Sequence, residues 1–260
     1  VWWSMANEWD FLYSHKNVEK DWDGYFQLIV EKDPYNHLRS IHNGGIFYDH
    51  TKPWITHASI QWQGSLMSWG GGDTGIRPIT TWREKYKKPI VVDECGYEGD
   101  IPRRWGSLPA WEMVNRFWEG VTSGGYVTHG ETYYSEDEVL WWSKGGKLKG
   151  ESPTRIAFLR SIIEEAPFPL EPIDHRDPRY ISSIRYNHCL AKDDEYILFY
   201  YDLYKPSEEE ELKLPEGKKY KVELIDTWEM KITKLGVFSG KVQLKLPGKS
   251  FMALRIQKVE

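Results

Sequence analysis

The chain has little cysteine, no long apolar run and no excess of basic charge, and each shortage removes a class of protein. Two cysteines in 260 residues are too few for a disulfide framework. Cys95 and Cys189 read as free thiols, which favours a reducing, cytoplasmic setting. No stretch approaches the roughly 20 apolar residues that cross a bilayer, and no basic, apolar and small-residue succession marks a secretory leader. Lys and Arg total 34 against 39 Asp and Glu, a net charge of -5, and the signs are dispersed, so the basic stripe of a nucleic-acid binder is missing. No glycine-rich phosphate loop follows a strand-like run, which ranks an open dinucleotide-binding sheet low. CxxC and HExxH are absent. His42, His57 and His129 with Glu131 are ligand types, but their company of carboxylates and tryptophans needs no metal to explain it. Neither metal nor cofactor is expected.

What is plentiful is tryptophan, 14 residues, most of them before residue 143. Packing is the usual fate of so large a side chain; clustered at loop-like ends of strands, indoles instead suit flat apolar faces such as sugar rings. With 40% hydrophobic content the chain reads as soluble and globular, with one large domain or a medium and a small one.

Up to about residue 166, short apolar runs alternate with helical periodicity. Strands are expected over 1–6, 37–42, 56–62, 89–93 and 125–129, and helices over 18–31, 80–87, 111–122 and 153–165, the last opened by a proline. This alternation predicts a parallel sheet covered by helices. Polar residues gather at the C-terminal end of every strand: Asn7-Glu8, His42-Asn43, Gln61-Trp62, Glu94, and His129 with Glu131. In a (β/α)8 barrel that end carries the active site. Four prolines, Pro167, Pro169, Pro172 and Pro178, then suggest a stiff connection over 167–179. Alternating runs such as EYILFYYDL and KVQLKLPG over 180–260 predict a small antiparallel β-sandwich of about seven strands.

Two glutamates end strands that read as buried: Glu8 after WWSMAN and Glu94 after PIVVD. A buried strand running into an acid is costly unless the acid lies at the open end of the sheet and is hydrogen-bonded. Glycosidic cleavage uses such a pair, one carboxyl protonating the leaving oxygen and the other attacking or activating water. Asn7 can hydrogen-bond a sugar 2-hydroxyl, and Trp141 or Trp142 can floor a sugar ring. His42, His57 and His129 sit on three different strands and would converge with Glu131 at the mouth of a closed sheet. Tyr97 and Glu98, on the loop after Glu94, are further contact candidates, with loop packing as the competing reading.

The runs WSMANEWD, VVDECGYEG, GGYVTHGETY, LWWSKGG and GESPTRIAFL, in that order along nearly the whole chain, resemble bacterial glycoside-hydrolase-like proteins of the apiosidase-like, cellulase-like type. These have a DUF4038-type TIM barrel followed by a DUF5605-type β-sandwich. The resemblance implies that Glu8, after Asn7 at the end of the fourth barrel strand, is the acid/base, and that Glu94, ending the seventh, is the nucleophile. Strands five, six and eight then fall at 37–42, 56–61 and 125–129. The chain would hold barrel strands 4 to 8 only (1–166), the connection (167–179) and the sandwich (180–260).

The activity implied is a retaining, endoglucanase-like hydrolysis of a poly- or oligosaccharide. Glu8 and Glu94 would be catalytic, and Asn7, His42, His57, Tyr97, His129, Glu131, Trp141 and Trp142 would bind substrate. Open sheet edges invite a covering partner, either a separate N-terminal half of the barrel or another copy of the chain; neither nucleic acid nor membrane is expected. The alternatives are a carbohydrate-binding protein without turnover, an inactive fragment of the hydrolase, or an interaction module centred on the sandwich, a fold that by itself assigns no function.

Overall fold

The computed structural model describes residues 1–12, 18–63, 78–134, 147–173, 187–201 and 208–259. Its first part runs β1 (Trp2–Ser4), α1 (Val18–Lys32), β2 (Leu38–Ser40), β3 (Ala58–Gln61), α2 (Pro78–Tyr86), β4 (Ile90–Glu94), β5 (Glu98–Gly99), α3 (Ala110–Thr122), β6 (Tyr126–Val127), β7 (Glu131–Thr132) and α4 (Ser152–Glu164). β1 pairs with β2 in parallel, and β3, β4 and β6 form a second parallel ladder in that order. The two ladders meet where the Thr56 N–H donates to the Arg39 carbonyl at 3.0 Å and the Gln61 N–H donates to the Asn43 side chain at 3.0 Å. Among the described residues β1, β2, β3, β4 and β6 thus run parallel in chain order with their C-terminal ends on one side, and β5 pairs in parallel with β7.

Side-chain alternation sorts these strands into two faces. Ala58, Ile60, Ile90 and Val92 are fully buried against Ile79 and Trp82 of α2, Met113, Val114, Phe117 and Trp118 of α3, and Leu159 and Ile162 of α4. Ser59 and Asp93 point to the other face. The β3–β4 register shifts at its end: Ile60 faces Val92, but Gln61 faces Glu94. Asp93 is the extra residue of a bulge, which lets two consecutive acids serve the same side of the sheet. β1 departs from the core strand expected of WWSMAN. It covers three residues, all exposed, and among the described residues it pairs only with β2.

The second part is antiparallel: β8 (Glu171–Pro172), β9 (Asn187–Lys192), β10 (Tyr196–Tyr201), β11 (Glu209–Lys213), β12 (Lys219–Asp226), β13 (Lys231–Phe238), β14 (Lys241–Lys245) and β15 (Met252–Val259). A six-stranded sheet, in the order β13-β12-β15-β10-β9-β8, faces the β11–β14 ladder. The strand beyond the expected seven is β8, which forms inside the stretch expected as a connection; its Pro172 is tolerated because β8 is an edge. Every residue of β10 is buried, since the sheet is covered on both sides. Ile197, Phe199 and Tyr201 fill the space between the two sheets, while Tyr196, Leu198 and Tyr200 join the core of α3 and α4. Trp118 of α3 stacks on Tyr200 at 5.4 Å, and the Tyr200 hydroxyl donates to Asn115 of the same helix. Among the described residues no helix is long and apolar enough to cross a membrane.

Candidate active site

The C-terminal ends of β1 to β4 bring Glu8, His42, Gln61 and Glu94 together. Glu8 follows β1 on a turn in which its own φ is +49°, a left-handed conformation that a non-glycine residue adopts at some cost. Glu94 is the better supplied with donors. Gln61 Nε2 and Gln63 Nε2 each donate to its Oε1 at 3.3 Å, His42 Nε2 lies 3.3 Å from its Oε2, and the Tyr97 hydroxyl donates to it as well. Burial, the Glu94 charge and this hydrogen bond all push the Tyr97 phenol above its ordinary range.

The Gln61 amide also donates to Glu8, so one carboxamide spans both carboxylates. The two acids differ in environment. Burial and the charge of Glu94 push the Glu8 carboxyl above its usual range, against the Gln61 hydrogen bond and the His42 charge, with Asp10 adding to the rise. Asn7 reaches Glu8 Oε2 at 3.5 Å from an exposed position. Glu8 is therefore disposed to hold a proton beside Glu94, whose oxygens face several donors.

His42 sits between the two acids of the bulge. Its Nδ1 is 2.8 Å from Asp93 Oδ1 and its Nε2 is 3.2 Å from Gln61 Oε1, while the Ser59 hydroxyl donates to the second oxygen of Asp93. The surrounding loops are pinned by buried polar groups. Asp10 accepts the N–H groups of Gly44, Gly45 and Ile46 and so shapes the turn after His42. Arg116 of α3 donates to the carbonyls of Cys95 and Gln63, fixing the chain after Glu94 and beside it.

A second cluster lies on the segments that follow β4 and β6. Glu98, Glu131 and His129 offer ligand atoms within 4.8 Å of one another. Several of their acceptor positions are already used. Glu98 is fully buried and accepts the N–H groups of Glu151 at 2.8 Å and Ser152 at 3.2 Å, the Ser152 hydroxyl and the Tyr133 hydroxyl at 2.9 Å. Glu131 accepts the N–H groups of Lys149 at 2.7 Å and Gly150 at 3.1 Å, and His129 Nε2 meets the Ser152 hydroxyl at 3.1 Å. Glu98 and Glu131 thus meet the backbone N–H groups at and just before the N-terminus of α4, which lack helical partners.

Several expectations are corrected by these positions. Glu98, a contact candidate, is fully buried and accepts the N–H groups that open α4. His57 immediately precedes β3 and stands at the opposite end of that strand from Gln61, with its ring 5.4 Å from that of Trp2, so it does not join His42 at the C-terminal end. Burial pulls its imidazole below the ordinary range, with the Asp93 charge opposing. Trp141 and Trp142 lie outside the described residues. Gln63, Ser59, Asp93 and Arg116 were not singled out by sequence, and Gln61 was named only for its place at a strand end. Asp93 read as the last residue of its strand, because a bulge leaves no mark in the residue pattern, and Arg116 lies among the apolar residues of α3.

Residues 186–257 match a family model described as a domain of unknown function, DUF5605, which covers β9 to β15. No curated protein matches the chain. A solved structure from Bacteroides vulgatus ATCC 8482, described as a candidate glycoside hydrolase, is 36% identical with a TM-score of 0.81, covering 100% of this chain and 52% of that one. The chain thus spans about half the length of that relative. A glycoside hydrolase family 5 structure from the same organism is 16% identical with a TM-score of 0.67, over 93% of this chain and 60% of that one. A further structure described as a glycoside hydrolase is 15% identical with a TM-score of 0.66, over 93% and 62%. At that identity the last two show likeness of fold alone. The chain has a glycoside hydrolase-like fold.

Proposed function

We propose that this chain is the C-terminal part of a retaining glycoside hydrolase of the apiosidase-like, cellulase-like type, acting on a poly- or oligosaccharide in an endoglucanase-like manner. In this reading 1–166 holds strands four to eight of a (β/α)8 barrel and 180–260 a trailing sandwich. The observation that carries it is the Gln61 amide shared by two carboxylates of unlike environment. A Glu94 oxygen attacks the anomeric carbon as the bond to the leaving oxygen breaks, and Glu8 gives that oxygen its proton. Water then attacks the glycosyl ester, its proton passes to Glu8, and the Glu94 carboxylate is released. Asn7 holds the sugar 2-hydroxyl, and Tyr97 and His42 keep Glu94 in place. His129 and Glu131 support the rim through the α4 cap, while Trp141 and Trp142 offer ring platforms.

The open flanks of the strand arc support a covering partner. Val1, Trp2, Trp3 and Leu38 are exposed at one end and Tyr126 at the other, where β6 pairs only with β4 among the described residues. A segment continuing the parallel order fits that gap better than a second copy, and the 36% identical relative, of which this chain covers 52%, has length to spare for one. The test is turnover of aryl glycosides and glucan oligosaccharides by the chain with and without such a segment. Glu94→Ala should abolish turnover and regain it with azide as an external nucleophile; Glu8→Gln should lower kcat while sparing sugar affinity. Unrescued residual activity in Glu94→Ala would overturn the assignment of roles. Sugar binding without turnover in every combination would leave a binding protein.

A further inference from the structure

We propose that His42 is a positioning residue: an imidazolium with both ring nitrogens protonated, anchored by Asp93, that holds the Glu94 carboxylate and sets the Gln61 amide so that its NH2 group faces both acids. Three acceptors surround the ring: Asp93 Oδ1 at 2.8 Å from Nδ1, and Gln61 Oε1 at 3.2 Å and Glu94 Oε2 at 3.3 Å from Nε2. A neutral ring with its proton on Nδ1 would turn a lone pair toward both Gln61 Oε1 and Glu94 Oε2. A neutral ring with its proton on Nε2 would do so toward Asp93. The doubly protonated form satisfies all three.

The arrangement depends on the bulge. Asp93 and Glu94 are consecutive, and in a regular strand they would point to opposite faces; the register shift between β3 and β4 gives both to one imidazole. Asp93 is held in turn by the Ser59 hydroxyl from β3. The consequence reaches Gln61. Because His42 donates to its oxygen, the amide nitrogen is left to donate to Glu94 at 3.3 Å and to Glu8. His42 thereby orients the one group that spans the two carboxylates.

The charged groups facing the ring are Asp93 and Glu94 from β4 and Glu8 from the turn after β1. His42 is 5% exposed, and burial alone would favour the neutral ring. The hydrogen bonds and charges of Asp93 and Glu94 prevail and push its pKa up to about 10. The role in turnover rests on the hydrolase reading; the protonation state does not.

The experiment is an NMR titration of the ring carbons and nitrogens in the histidine-labelled full chain, with the His42 signals assigned by their loss in His42→Asn. In the unaltered chain the ring should stay an imidazolium to about pH 9. Asp93→Asn should lower its midpoint by about one to three pH units, and Glu94→Gln should lower it independently, so that one variant decides if the other fails to fold. A midpoint near 6.5 in the unaltered chain, or one that neither substitution moves, overturns the proposal. In an enzyme assembled to turn over, Asp93→Asn should also cut kcat about 10- to 100-fold with KM little changed. Should no turnover be found in any form, the titration still decides the state of His42, and the two readings fail separately.

Discussion

Glu98→Gln exchanges one oxygen of a buried carboxylate for an NH2 group at the N-terminus of α4. In the unaltered chain the two oxygens accept four hydrogens: from the Tyr133 hydroxyl and the Glu151 N–H on one side, and from the Ser152 N–H and hydroxyl on the other. The hydroxyls can turn away from an amide nitrogen; the backbone N–H it meets cannot. Leaving a buried donor unmet costs about 1–3 kcal/mol, and hydrogen bonds to a charged group contribute about 1.5–3 kcal/mol each. The expected loss is about 3 kcal/mol, larger in Glu98→Ala, where all four donors lose their acceptor. In a domain of this size that lowers Tm by roughly 6–12 °C, and urea denaturation should show the midpoint falling at constant slope.

The pH dependence of that prediction follows from the same contacts. Burial alone would raise the carboxyl pKa, but the Ser152, Glu151 and Tyr133 hydrogen bonds hold it below the usual 4.5. A depressed folded-state pKa contributes stability that is fully present above the unfolded-state pKa and is lost as pH falls through the folded one. The gap between unaltered chain and Glu98→Gln should therefore be widest near neutrality and close in acid below pH 4.5. A difference under about 0.5 kcal/mol at pH 7, or one independent of acid, would refute the reasoning that Glu98 caps α4.

Two further predictions concern packing and acid stability. A Cβ on Gly130 would overlap the ring of Tyr97, so Gly130→Ala should destabilise by about 1–3 kcal/mol, and Tyr97→Ala in the same chain should relieve that penalty. Additive costs in the double variant would mean that the ring is not the obstacle. His50 is fully buried, with no hydrogen-bond partner on either ring nitrogen among the described residues; burial, with Lys88 nearby, lowers its pKa to about 4. Between pH 6.5 and 4 the unfolded chain takes up a proton that the folded chain refuses, a loss of about 3 kcal/mol. His50→Phe should flatten that part of the acid limb, and an unchanged limb in urea titrations would count against a buried neutral imidazole.

Much of the architecture was legible because its signals are local. The apolar runs at 89–93 and 56–62 and the helical stripe of α3 need only their own side-chain order to declare strand or helix. The polar residues gathered at strand ends pointed to Glu8, Glu94 and His42, which do meet. β1 misled: its residues are those of a core strand, while burial depends on what lies over it, and Trp2 and Trp3 are exposed. His57 misled although the expected strand over 56–62 already set it at the end away from Gln61; it immediately precedes β3.

The sequence by itself determined the alternation of strand and helix, the change to antiparallel strands beyond the prolines and the two glutamates at strand ends, because periodicity and turn chemistry are properties of neighbours along the chain. Only the tertiary structure decided that Asp93 and Glu94 share one imidazole, that the Gln61 amide spans Glu8 and Glu94, and that Glu98 caps a helix some fifty residues on. A bulge, an amide orientation and a cap contributed from afar depend on contacts between elements, and no residue spacing encodes them.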